Sequence, residues 1–485
     1  MVQDLVHPSM YPLVYGRSLV LREELVGVTD AIENWSGKGD VIEKDTWERS
    51  SQDRFRYNVG GSEVPPDFWS NTYQWLPSNV AFQEDGKVKF ISYINNLHPV
   101  KYAELYRTIE ELINTSLPMW DQCLAVVHDH REIQGAGRTE CRMGYPDVPD
   151  DDNEENWIPS NPEECAHMEV NWEEPQDVEY LSEEENETEK KWEIFRKPRI
   201  PEVPFEQMNY APPDDKKLFN KFKASGLQII VKLASIELSP ENPDFPTGGW
   251  HVEGQMNEHI AGTALYYLDS ENVTSSHLSF RMQTDAYLST ELEVGQDQYS
   301  YLSHIYGTEL GHGAPCLQNY GSVKTHQGRL IAFPNVFQHR VSPFSLVDKT
   351  KPGHRRFIAL WLVDPHQRII STANVPPQQK NWWRESIFGG SKEKQAEAIS
   401  KMPAEIVELM KERLSGDGTA MAMPGKLPVE LMQMVHEHFH AEKHTLPMNL
   451  EEAKEHRLKL MEERGAFVQT AKASWHNHSY NFCEH

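Results

Sequence analysis

Between Leu227 and Asp364 the chain repeats one pattern, in which short apolar, β-branched runs are separated by turn residues. LQIIVKLASIEL, GTALYYLD, HLSFRMQT, GRLIAFPN and RRFIALWLVD are such runs. Alternation buries one face of a strand, and several short strands with turn-rich connections build a β-sandwich or barrel rather than a helical bundle. This pattern predicts an α+β protein with its β core over residues 214–376 and helical additions on either side.

The flanking regions differ in composition. Residues 1–146 mix aromatic and amphipathic stretches and are expected to pack on the core. Within them PVKYAELYRTIEELINTSLPMWDQCL predicts a helix from about Tyr102 to Ile113, ended before Pro118. Residues 147–213 crowd acids with prolines (DVPDDDNEENWIPSNPEEC) and predict a solvated linker or loop. Residues 377–485 are charged and helical in period. SKEKQAEAISKMPAEIVELMKERL is one helix, and NLEEAKEHRLKLMEERG is another, with Asn449 as N-cap and Glu452 at the capping-box position.

Charge and cysteine usage exclude several classes. A formal net charge of −27 disfavours nucleic-acid partners, which need clustered Lys and Arg. No window supplies the roughly 20 apolar residues that cross a bilayer, and MVQDLVHPSMYPLVYGRS lacks the layout of a secretory signal. Five cysteines (Cys123, Cys141, Cys165, Cys316 and Cys483), never in a C-x-x-C pair, suggest reduced thiols. The expected setting is cytoplasmic, without a membrane, and the expected partner is a small molecule.

One triplet raises the question of chemistry. GGWHVEGQMNEHIAGTALYYLD carries His251 and Glu253 two residues apart, and positions i and i+2 of a strand project to the same side. Alone, the pair suits a polar strand pair as well as two ligands of a divalent ion. Further on, GRLIAFPNVFQHRVSPFSLVDKTKPGHRRFIALWLVDP leads an apolar strand through a Pro-Asn turn to His339, and sixteen residues later reaches Arg355. Arg355, Phe357, Ala359 and Trp361 alternate onto one face, predicting an arginine that points where His339 points, on a neighbouring strand of the same sheet. The adjacent Arg356 competes for that role but shares its face with Ile358, Leu360 and Leu362.

These residues together resemble the double-stranded β-helix (jelly-roll, cupin-like) core of the Fe(II)- and 2-oxoglutarate-dependent oxygenases, most of all the prolyl hydroxylase branch. The shared pattern is H-x-D/E, a distal His, then an Arg, with Tyr266-Tyr267-Leu268 and Trp361 at matching spacings. GGWHVEGQMNEHI, RLIAFPNVFQHRVSPF and STANVPPQQ are also similar to a family of largely uncharacterised fungal proteins. The resemblance implies that His251, Glu253 and His339 hold iron, that Arg355 binds the distal carboxylate of 2-oxoglutarate, and that Tyr267 hydrogen-bonds that co-substrate. Dioxygen is the implied oxidant. Glu253 departs from the commoner Asp.

The chemistry fits those parts on physical grounds. Three ligands on one face of an octahedral ion leave three positions, two for a keto acid and one for dioxygen. A guanidinium fork meets a carboxylate through parallel charge-assisted hydrogen bonds. Phe337, Phe344, Tyr266, Trp250 and Asn257 are candidate substrate contacts, though each reads more readily as core or structure. An amino acid or specialised metabolite is the first expectation for substrate, and a peptide or protein side chain the second. A cupin-like metalloenzyme without 2-oxoglutarate and a silent binding module are the rivals. The 284–327 connection is a candidate lid; HEHFHAEKH (His436–His444) and QGAGR (Gln134–Arg138) are weaker motifs, and His259 reads as structural.

Overall fold

The computed structural model describes residues 2–44, 65–124, 153–172, 186–199, 212–284, 313–388 and 446–480, with Ser400 and Ala404. Most of the candidate lid (285–312), both weaker motifs (134–138 and 436–444), nearly all of the 391–414 helix, Cys141 and Cys483 lie outside the described residues. The elements used below are β1 (Val2–Val6), β2 (Ser78–Phe82), β3 (Val88–Phe90), α1 (Ala103–Leu124), α2 (Glu187–Phe195), β4 (Leu227–Leu238), β5 (Asp244–Phe245), β6 (Ile260–Glu271), β7 (Ser276–Gln283), β8 (Leu317–Thr325), β9 (Leu330–Pro334), β10 (Gln338–Val341), β11 (Phe344–Ser345), β12 (Gly353–Val363) and α3 (Leu450–Asn477).

The chain divides into two compact units. One comprises Met1–Val126, Ala211–Met282 and Tyr320–Ser474; the other comprises Val127–Tyr210, Gln283–Asn319 and Trp475–His485. In the first, a seven-stranded sheet runs β9-β6-β12-β4-β2-β3, with β1 also paired to β4. Its strands pair antiparallel. A three-stranded sheet, β8-β7-β10, and the pair β5-β11 complete the β structure near the site. The protein is thus mixed α and β, with antiparallel sheets.

Side-chain alternation sorts this sheet into two cores. Ile229, Val231 and Leu233 of β4, Ala264 of β6 and Ile358, Leu360 and Leu362 of β12 bury against Ile109, Ile113 and Trp120 of α1. The intervening Ile230, Leu265, Tyr267, Phe333, Ala359, Trp361 and Val363 face the other way and share a core with Leu278 of β7. Phe280 and Val341, from β7 and β10, pack on the same cluster. A central strand buried on both faces is what an almost unbroken apolar run such as IALWLV encodes.

Helix α1 extends to Leu124 and contains Pro118, past the predicted stop. A proline there removes one backbone hydrogen bond. Beyond it Trp120 is wholly buried, and Leu117 nearly so. Burying such side chains offsets the loss by about 1.5–3 kcal/mol apiece. Gly262 on β6 permits the contact, since a Cβ there would lie 3.3 Å from the Trp120 ring. At the other end of the chain α3 begins as expected, with the Glu452 amide donating to Asn449 Oδ1 at 2.8 Å.

In the second unit, the acidic stretch holds more than a solvated loop. Trp157, Cys165 and Trp192 form a small buried cluster, and α2 opens on an Asn186 capping box. The Arg196 guanidinium lies 4.2 and 4.5 Å from the Trp157 and Trp192 ring centres. Two tryptophans and a cysteine supply enough apolar surface to order a segment whose overall composition is acidic. Among the described residues, Cys123, Cys165 and Cys316 form no disulfide, and no helix is long and apolar enough to cross a membrane.

Past β1, His7 enters the first unit's interior. Its Nδ1 accepts from the Ser9 amide at 3.0 Å. Burial first, then the positive charges of Lys232, Arg457 and Arg464, push its imidazole down to about 2. Unfolded chain takes up a proton near 6.5, whereas the native state does not, so this contribution is present above that pH and lost on acidification. The expected slope is about 1.4 kcal/mol per pH unit below roughly 6.5 from this residue. Denaturant unfolding at pH 7.5 and 5.0 checks it: His7→Asn should lose less stability on acidification than the parent chain.

Candidate metal centre

His251 and His339 meet through their backbones. The His251 amide donates to the His339 carbonyl at 3.2 Å and receives the reciprocal bond at 3.0 Å, forming an isolated antiparallel bridge. Paired residues of this kind carry their side chains on the same side, and the two imidazole centres are 4.4 Å apart. His339 belongs to β10 and pairs there with Phe280 of β7. It therefore lies in the three-stranded sheet, whereas Arg355 lies in the seven-stranded one. The expectation of a single sheet is corrected: the two residues approach from different sheets, because β10 leaves the larger sheet after the Pro-Asn turn.

Glu253 is not on a strand either. The chain turns at Gly254, whose φ of +70° is open to glycine and where a Cβ would meet Glu258 Oε2 at 2.6 Å. Asn335 fixes this turn. Its Oδ1 accepts from the Glu253 amide at 2.9 Å, and its Nδ2 donates to the carbonyls of Glu253 at 2.9 Å and Ile260 at 3.1 Å. Asn335 was visible in sequence only as half of a Pro-Asn turn; its job is to clamp the ligand segment.

The result is a compact triad. One ligand atom from each of His251, Glu253 and His339 lies within 4.8 Å of the others. Glu253 Oε1 is 3.3 Å from His339 Nε2 and 3.9 Å from His251 Nε2. His339 is 3% exposed and Glu253 13%, but His251 is 36% exposed, so the cluster is closed on the protein side and open on one flank. His251 Nδ1 is 2.9 Å from the Gly249 carbonyl, the contact that directs Nε2 to the cluster.

Electrostatics favour the neutral form of His251 and the charged form of Glu253. Burial, followed by the neighbouring His339, lowers the His251 imidazole, which favours the neutral base. For Glu253 burial works upward, but the His339 hydrogen bond and the potential of both imidazoles and Lys232 outweigh it and hold the carboxyl at about 2. Two imidazoles and a carboxylate match a first-row divalent ion, and the donor set fits iron(II).

Arg355 is buried, at 3% exposure. It donates through Nη1 to Ser276 Oγ, and its guanidinium carbon sits 4.5 Å from the Tyr267 ring centre and 5.4 Å from that of Phe344. Among the described residues its Nε has no hydrogen-bond partner. An orphaned donor this deep calls for an acceptor. Arg356, by contrast, is 41% exposed and bonded to Asp269 at 3.2 Å. Tyr267 is buried in the core that includes Phe333, and the Phe333 ring centre lies 4.9 Å from that of His339. The arginine and the triad are therefore linked by one inner face.

The other candidates separate. Phe337 packs against the inner core and Tyr320, at 5.0 Å between ring centres. Phe344 stacks on Phe245 at 4.9 Å, beside Arg355. Tyr266 packs on the opposite core, with α1. Trp250 lies between the guanidiniums of Arg281 and Arg340, 4.6 and 4.4 Å away. Asn257 is committed to the backbone, accepting from Ser70 at 3.2 Å and donating to Tyr73 at 3.0 Å. The His259 carbonyl accepts from the Asp364 amide at 2.7 Å, and its ring lies edge-on to Trp69 at 6.1 Å between centres.

The chain belongs to the family described as "Protein of unknown function (DUF4246)", whose profile matches residues 1–386. No protein of curated function matches it. Among solved structures it is similar to the Fe(II)/α-ketoglutarate-dependent dioxygenase TqaL, at 13% identity over 30% of this chain and 46% of the other, with a TM-score of 0.18. It is also similar to a BsmA homologue from Methylobium petroleophilum PM1, at 13% identity over 35% and 57%, TM-score 0.18. The FeII form of HppE is 8% identical over 27% and 43%, TM-score 0.13. The chain thus spans about half of each of these structures. Likenesses this slight leave the site to be read from its own geometry.

Removing the clamp tests that geometry. Asn335→Ala is expected to weaken Mn(II) or Fe(II) binding about 10- to 100-fold, the range for losing a residue that orients a ligand. Glu253→Ala should weaken it further. Calorimetric titration of metal, with circular dichroism to verify folding, measures both.

Proposed function

We propose that this protein is a non-haem Fe(II)- and 2-oxoglutarate-dependent dioxygenase that oxidises a C–H bond of a small molecule, an amino acid or specialised metabolite. The observation that carries the reading is the buried Arg355, with an unpartnered Nε, on the inner face that also leads to a His-Glu-His cluster. A metalloenzyme with no keto acid has no use for such a cation, which favours this reading over a cupin-like enzyme without 2-oxoglutarate. A peptide or protein side chain is the second substrate reading, favoured only by the open flank at His251.

The strand order supports a double-stranded β-helix. Along the chain, β4, β6, β9 and β12 of the large sheet alternate with β5, with β7 and β8, and with β10 and β11 of the smaller ones. Such alternation is what a jelly roll, with two sheets facing each other across one core, requires.

His251, Glu253 and His339 would hold the metal, and Arg355 and Tyr267 the distal carboxylate of 2-oxoglutarate. Bound iron(II) supplies the oxidative decarboxylation of the keto acid by dioxygen and the attendant oxidation of a substrate C–H bond, ending in hydroxylation, desaturation or ring closure. The protein's own part is positional. Arg355 pairs with a carboxylate through a rigid fork and so sets the orientation of the co-substrate. The Tyr267 hydroxyl stays protonated, since burial raises it against the lesser pull of Arg355, and it can donate to the same oxygen. Leu265, Phe333 and Trp361 exclude water from that wall.

Anaerobic addition of Fe(II) and 2-oxoglutarate should produce a visible charge-transfer absorption, followed by succinate when air is admitted. His339→Ala should abolish both. Arg355→Met should raise the 2-oxoglutarate concentration for half-saturation about 10- to 100-fold, as expected for a lost hydrogen bond to a charged group, without altering metal affinity. Tight metal binding with neither absorption nor succinate would assign the chain to the metalloenzymes that dispense with the keto acid.

A further inference from the structure

Lys232 interrupts the apolar run LQIIVKLASIEL. On β4, Ile229, Val231 and Leu233 face α1, while Ile230 faces the inner core. Lys232, two residues beyond Ile230, therefore starts from the inner face. Its neighbour across β12 is Ala359, and the next inward residue on β4 is Ala234. Both are buried and small, so the long side chain rises from a low floor.

The ammonium's charge is felt at His7, second only to burial, and is the last of the influences on Glu253 and His251. Yet Lys232 is only half-buried, and no hydrogen bond or ion pair engages it among the described residues. A free cation beside a dication repels it, most of all where water is scarce. With Fe(II) in place, the metal, Glu253, Arg355 and Lys232 would carry a net charge of three positive units. A keto-acid dianion removes two of them. One positive charge is left without a partner, and it is on the lysine.

We propose that Lys232 binds the carboxylate of an acidic small-molecule substrate next to the metal. The substrate class is then a carboxylic acid with one negative charge to place there, its reacting C–H bond a short distance from the carboxylate. This rests on the oxygenase reading for the role of the metal, but its test does not depend on turnover.

Protein loaded with Mn(II) and 2-oxoglutarate is titrated calorimetrically with a library of small carboxylic acids and their primary amides. Acids are expected to bind and the matching amides not to. Lys232→Met should weaken acid binding about 10- to 100-fold, the scale of a charge-assisted hydrogen bond, while Lys232→Arg should retain most of it. The affinity for 2-oxoglutarate should be the same in all three proteins. Equal binding of acids and amides, no acid binding by the parent chain, or acid binding unchanged in Lys232→Met would each overturn the proposal. So would a loss confined to 2-oxoglutarate, which would give the lysine to the co-substrate. Failure of the oxygenase reading looks different: the parent protein takes Mn(II) but gives no heat with 2-oxoglutarate. The acids and amides are then titrated onto the Mn(II) protein alone, and the same criteria apply.

Discussion

The reciprocal backbone pair between His251 and His339 is the constraint on which the centre depends. Two hydrogen bonds, at 3.2 and 3.0 Å, join segments that are far apart in sequence and bring two imidazoles to 4.4 Å. Neither ring needs the other for its own packing. His339 is anchored by β7 and by Phe333, whereas His251 is a third exposed and held through Gly249. The bridge therefore converts sheet register into ligand geometry, and a slip of one residue would carry one imidazole to the opposite face.

The alternation of β12 was legible because it is strict. Arg355, Phe357, Ala359 and Trp361 face inward as the sequence pattern required, and Arg356 pairs at the surface with Asp269. The convergence of His251, Glu253 and His339 was legible through their spacing, and the start of α3 through Asn449. What sequence could not supply were facts settled by distant partners. Pro118 sits within a helix because Trp120 is buried against a strand more than a hundred residues away, at Gly262. Glu253 lies on a turn rather than a strand because Asn335 claims both its amide and its carbonyl. Local propensity carries no trace of either contact. The one local signal that went unused was Lys232, a lone charge in an otherwise apolar strand.

Charge is distributed unevenly in this acidic protein. The chain carries −27 overall, yet among the described residues Arg355 and Lys232 on the inner face have no carboxylate bonded to them. Arg281 and Arg340 share an indole, and burial together with Arg340 brings Arg281 down to about 10. Desolvating cations without acids costs free energy that folding alone does not return. Such an arrangement is sensible where anions arrive from solution, and the acidic remainder of the surface does not compete because its field is screened over about 8–10 Å.

The glutamate in place of aspartate follows from where the ligand sits. A carboxylate two residues along a regular strand from His251 would share its face at close range, and a short side chain would suffice. Here the backbone has left strand geometry by Glu253, turned by Gly254 and drawn by Asn335 toward Ile260. The carboxylate must reach back across that displacement to lie 3.3 Å from His339 and 3.9 Å from His251. An added methylene supplies about 1.5 Å of reach, the length of one C–C bond. It also adds a rotatable bond, whose freedom must be restrained for a ligand to be held in place, at a cost of up to about 1 kcal/mol per side chain ordered. Burial of Glu253 to 13% exposure and its contact with His339 provide that restraint. The longer acid and the clamped turn are thus one solution in two parts: shortening the side chain would strand the carboxylate, and freeing the turn would leave the longer one without a fixed origin.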